Sequence, residues 1–195
     1  EASPQGVITR GVEAGLDRTQ LQEVVRRAES AGVSAGATAE LLEPAVRLAE
    51  NGLPAQHVLN KALEGLAKRV PAARMSPVLQ QLSANTEQAG AAVHAWIERP
   101  DVRETLGAER GGPPDGIRAQ LIVNAAQAQQ QGVPPAFVQS LLNELPAATS
   151  RRPLLAQNVA VAVGILPDVP GAADGSASAR ELLTAALDAG YDAES

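Results

Sequence analysis

His57, Lys61, Glu64 and Lys68 follow one another at i, i+4, i+7 and i+11, a spacing that places all four along one face of a helix. A histidine with a carboxylate two turns away could serve as a general base, with Glu64 tuning a neighbour's proton affinity. The same residues also make an ordinary solvated face, in which Glu64 and Lys68 stand in the favourable order for a helix pair of about 0.3 kcal/mol. The second reading is the expectation here, with His57, Lys61 and Glu64 kept as surface candidates and no catalytic, cofactor or metal residue assigned. It predicts that His57 titrates near about 6.5, whereas a ring shifted far from that value favours the catalytic reading.

The remaining chemistry-bearing residues form no recognisable constellation. His94 lies in AAVHAWIERP, flanking an apolar face made by Val93, Trp96 and Ile97, and is expected to be packed or hydrogen-bonded. A metal site needs two or three further ligands, and neither a second nearby histidine nor an HExxH run is present. Cysteine is absent, which removes thiol nucleophiles and thiolate metal sites together. Ser76, Ser83, Ser140 and Ser150 sit in no nucleophile-elbow pattern. GAERGGPPDG, from Gly107, lacks the Lys and the Ser or Thr of a phosphate-binding loop. Carboxylates are dispersed, so a spatially assembled pair stays open, but one Phe, one Trp and one Tyr leave little for sugar stacking. No cofactor is implied, and an enzyme is the less favoured class.

The net charge of −6, with basic and acidic residues interspersed, disfavours nucleic acid as a partner. The longest apolar run, Val159 to Val163 extended to Leu166, is too short to span a bilayer. The chain starts at Glu1 in EASPQG without an initiating Met; removal of a signal segment leaves such an end, as does trimming, and export is the expectation.

The elements that must position these residues are helices. Val58, Leu59, Ala62, Leu63, Leu66 and Ala67 form one stripe at helical period, bracketed by Gly52-Leu53-Pro54 and Val70-Pro71. Similar punctuation appears at Gly15-Leu16-Asp17, Gly32-Val33-Ser34, Gly132-Val133-Pro134 and Gly190-Tyr191-Asp192. Gly15 to Gly52 is 37 positions, a length typical of two-helix repeats. The segment from Leu121 overlays that from Leu41 at a constant offset of 80, matching Leu121, Ala125, Gly132, Pro134, Val138 and Glu144. The stretch from Leu182 echoes that from Val7 more weakly. No segment alternates polar and apolar residues over a strand's length.

The fold predicted is therefore all-α, a helical bundle or short solenoid of two-helix repeats of about 37 residues with about eight or nine helices. One repeat unit is expected over 1–99, a Pro/Gly-rich connector over 100–116 and a second unit over 117–195, together one compact domain. Ser178, with Glu181 three residues on, is expected to open the last helix. Gly52→Ala is expected to cost about 1 kcal/mol, and Gly65→Ala, in a helix interior, to be neutral or stabilising.

Residues 52–71, GLPAQHVLNKALEGLAKRVP, resemble a recurrent segment of uncharacterised bacterial exported α-helical proteins, in which Gly-Leu-Pro opens a helix reading KALEGLAK that closes on Val-Pro. The resemblance implies a bacterial, envelope-associated helical protein and transfers no active site. Two functions fit the residues. One is a non-enzymatic helical-repeat interaction or scaffold module that binds a protein or peptide partner. The other is a carrier of an apolar small molecule or lipid, with VAVAVGIL among the cavity-lining candidates. An internal void above about 300 Å³ favours the carrier, and an open groove with an apolar floor favours the partner.

Overall fold

The computed structural model describes residues 3–106, 115–149 and 154–189. They form α1 (Pro4–Glu13), α2 (Arg18–Ser30), α3 (Ala35–Glu50), α4 (Gln56–Ala67), α5 (Ala72–Ile97), α6 (Pro100–Leu106), α7 (Asp115–Gln130), α8 (Pro135–Glu144), α9 (Ala156–Gly164), a 3₁₀ turn at Leu166–Asp168, and α10 (Ala177–Ala189). The protein is all-α, with no strand among the described residues. The short α6, opened by Pro100, lies in the segment expected to be a connector; Gly111, Gly112, Pro113, Pro114, Ser150 and Gly190 lie outside the described residues. The last helix begins at Ala177, so Ser178 is inside its first turn and does not cap it.

The chain divides into two compact units, Glu1–Glu87 and Gln88–Ser195. The division falls inside the 26-residue α5.

In the first unit α1 packs on α3 and α2 on α4, with further contacts between chain neighbours. Leu21 and Val24 of α2, Leu41, Leu42, Val46 and Leu48 of α3, and Val58 and Leu59 of α4 are all inaccessible to solvent. Each such side chain contributes about 1.5–3 kcal/mol of burial. Side-chain oxygens of Ser3, Asp17 and Ser34 accept from the backbone N–H of Gly6, Gln20 and Ala37, closing the first turns of α1, α2 and α3.

One turn geometry joins most of these helices. At Gly52 (φ 68°) its N–H bonds the Ala49 carbonyl at 2.9 Å, and Leu53 N–H bonds the Leu48 carbonyl at 2.9 Å. These two bonds satisfy carbonyls that a helix end leaves orphaned, and they require a left-handed residue. The same pair of bonds occurs at Gly15, Gly32 and Gly132, and at Arg69, where no glycine is present and φ is 55°. Arg69 carries the strain that glycine avoids. Arg69→Gly is therefore expected to stabilise the first unit by about 0.5–1 kcal/mol, while Gly52→Ala costs about 1 kcal/mol. Urea midpoints that moved in the same direction for both substitutions would contradict this account of the turns.

In the second unit α7 packs on α9, and α10 contacts α8 and α9. Asn124 Nδ2 donates to the Ala160 carbonyl at 2.7 Å, and a Cβ on Gly164 would stand 2.8 Å from that nitrogen, so α7 and α9 approach closely at this point. The last turn of α5 and the residues after it hold the end of α8. Trp96 Nε1 donates to the Leu145 carbonyl at 3.3 Å, and Arg99 Nη1 donates to the carbonyls of Leu142 and Asn143 at 3.2 and 3.0 Å. Arg99 is oriented in turn by Asp101, and its charge lies at the carbonyl end of α8, where a cation is favoured. α7 spans the residues 80 positions on from α3, and Gly132 repeats the turn made by Gly52.

Candidate functional site

α4 and the first half of α5 run antiparallel, joined by the turn through Lys68, Arg69, Val70 and Pro71. Two contacts fix their register. Gly65 faces Met75, and His57 faces Thr86.

The Gly65 contact overturns the expectation for that glycine. A Cβ there would lie 2.3 Å from Met75 Sδ and 3.1 Å from Met75 Cγ, and Met75 is buried. The missing side chain lets α5 settle onto α4. Gly65→Ala gains helix propensity but must displace a packed methionine, and a net loss of about 1 kcal/mol is expected in urea unfolding.

His57 is also placed differently from the expectation of a solvated face. The ring is half-buried, and its Nε2 stands 2.8 Å from Thr86 Oγ1. Thr86 donates its own hydrogen to the Leu82 carbonyl at 2.7 Å, so its oxygen accepts, and the ring carries its proton on Nε2. Nδ1 is sealed from solvent and has no hydrogen-bond partner among the described residues. An imidazolium there would bury a second N–H donor without an acceptor. Burial accordingly lowers the pKa to about 4. This large shift has desolvation as its cause, with no charged partner, and the free nitrogen is closed off from solvent. The geometry offers no path for a substrate proton to reach it.

Lys61, Glu64 and Lys68 do share one exposed surface. Glu64 accepts from Lys61 Nζ at 2.9 Å and from Lys68 Nζ at 2.5 Å. Those hydrogen bonds, that from Lys68 foremost, hold the carboxyl down at about 2. The three charges form the rim of an open cleft of about 250 Å³ where α4 and α5 diverge from their turn. Its floor is Gly65, Val70, Met75, Val78 and Leu79, and Arg74 lies on the α5 side. Val78 is 38% exposed, one of few large apolar side chains so placed among the described residues.

Sequence reasoning missed the α5 contribution. Arg74 and Val78 form one i, i+4 pair and Met75 and Leu79 another, a pattern visible in the sequence, but only the folding of α5 against α4 joins them to Lys61 and Glu64. His94 is exposed on α5, not packed, while Val93, Trp96 and Ile97 are buried as expected. The VAVAVGIL segment is mostly core, with Val159, Val163 and Leu166 inaccessible. A second depression of about 480 Å³ lies between α7 and α9, lined by Gln120, Asn124 and Gln157 together with Gly116, Ile117, Ala160 and Val161.

Among the described residues no group of three or more His, Asp or Glu is placed to hold a metal ion, and no helix is long and apolar enough to cross a membrane. No protein-family model matches the chain, and no curated protein or solved structure is detectably similar to it.

Proposed function

We propose that the chain is a non-enzymatic helical-repeat interaction module that binds a protein or peptide partner. The observation that carries this reading is the α4–α5 cleft, which is open, floored by apolar side chains and rimmed by charges. Its volume is below the about 300 Å³ at which small-molecule pockets begin, and it is not an internal void. The larger α7–α9 depression has Ala160 and Val161 in its lining but is open to solvent and not an internal void, so it does not meet the condition that favours a carrier.

The repeat architecture belongs to the same proposal. The coincidence of α3 with α7 at an offset of 80, the shared turn at Gly52 and Gly132, and the pairing of α1 with α3 and α2 with α4 support a degenerate duplication of helix pairs. For an exported, bacterial setting, the support is the resemblance of residues 52–71.

The test compares affinity capture by the wild-type chain and by Val78→Glu from lysate and envelope fractions of the source organism. Val78 is partly exposed, so the variant is expected to keep its helical circular dichroism while losing a protein partner that the wild type recovers. Recovery of the same proteins in the same amounts by both chains would count against the cleft as the binding surface.

A further inference from the structure

We infer that the α4–α5 cleft selects an acidic amphipathic peptide segment of its partner, seating an apolar side chain on Met75, Val78 and Leu79 and a neighbouring carboxylate on Arg74. This inference rests on the interaction reading above and adds the chemistry of the ligand.

Size and charge together carry it. A cleft of about 250 Å³ has room for one or two apolar side chains and not for a bulky cargo. Around it stand three cations, Lys61, Lys68 and Arg74, against the single carboxylate of Glu64, in a chain whose net charge is −6. Glu64 already occupies both lysines, whereas Arg74 is exposed and forms no ion pair among the described residues. A guanidinium offers a planar fork that a carboxylate meets with two parallel hydrogen bonds. The apolar floor beside it favours a ligand whose acidic group adjoins a hydrophobic one, and the net positive charge of the rim disfavours a basic segment. Glu64 opposes the incoming carboxylate and restrains the lysines, so it acts as a brake on the affinity of this site. Because all of these charges are exposed, their effect falls with added salt.

The experiment is selection of displayed random peptides of about twelve residues on the folded full chain, followed by titration of the enriched sequence as a synthetic peptide. Enriched peptides are expected to carry Leu, Met or Phe beside Asp or Glu, to shift the backbone amide resonances of residues 61–79, and to bind more weakly at high salt. Arg74→Glu is expected to weaken binding at least about ten-fold, and Glu64→Gln to tighten it by about three-fold, both with unchanged circular dichroism. A purely structural role for Glu64 predicts no tightening. Enriched peptides that are neutral or basic, or that are indifferent to Arg74→Glu, would overturn the inference. Peptides that shift resonances elsewhere would overturn it while leaving the interaction reading in place. An absence of enriched peptides, with decanoate alone shifting residues 61–79, would remove both.

Discussion

Trp96→Ala is expected to destabilise the second unit by about 3–5 kcal/mol, well beyond the effect expected of any of the glycine, arginine or histidine substitutions. Trp96 is only 2% exposed and is the largest fully buried side chain, so truncation leaves a cavity that the surrounding helices fill only in part. It also removes the indole N–H that satisfies the Leu145 carbonyl just beyond α8, leaving a buried acceptor without its donor. Trp96→Phe separates the two contributions: most of the packing stays, the hydrogen bond goes, and a cost of about 1–2 kcal/mol is expected. As the chain's one tryptophan, Trp96 also reports unfolding of its own unit by fluorescence, and circular dichroism follows the variants that lack it. Equal losses for the two variants would show that the hydrogen bond, and not the volume, anchors this region.

Stability is expected to fall as pH drops from about 6.5 towards about 4, by a contribution that His57→Gln abolishes. The folded ring holds its proton less tightly than the unfolded one, so the unfolded chain binds more protons throughout that window. The contribution is complete above the unfolded value, declines as pH falls, and is constant below the folded value. Allowing for the ring's partial exposure, about 1 kcal/mol should be lost by pH 5 and about 2 kcal/mol by pH 4. Carboxyls held low by their cations, Glu64 and Glu23 among them, begin to lose their own contributions as pH falls into the ordinary carboxylate range, and they do so alike in wild type and His57→Gln. The difference between wild type and His57→Gln at pH 7 and at pH 5 therefore isolates the ring. Gln retains an amide nitrogen that can donate to Thr86 and has no proton to gain. Parallel pH profiles for the two chains would contradict the buried-ring geometry.

What the sequence disclosed and what it withheld follow from range. Helix ends are local: the glycines at 15, 32, 52 and 132, the caps at Asp17 and Ser34, and the apolar stripes are written in consecutive residues, and the structure has them there. A helical wheel misplaces His57 because it assumes one buried stripe. α4 has α2 and α3 on one side and α5 on another, so part of its polar face is covered. The warning is present at an offset of 80, where Phe137 occupies the position of His57 and is buried. Gly65 is misplaced for the same reason, since nothing near it in sequence announces Met75. Lys61, Glu64 and Lys68 are legible as a group because they lie on one helix. Arg74, Met75, Val78 and Leu79 are not, because a cleft between two helices exists only once their register is set.

The proposed function places this chain's activity in a surface that meets another polypeptide and not in a retained small molecule. A native mass spectrum of the full chain, purified without denaturation, tests it most directly. The account predicts the mass of the bare polypeptide, with an added mass appearing only when an acidic amphipathic peptide or a captured protein partner is supplied. A co-purified lipid or other apolar small molecule that stays bound in the spectrum would contradict it.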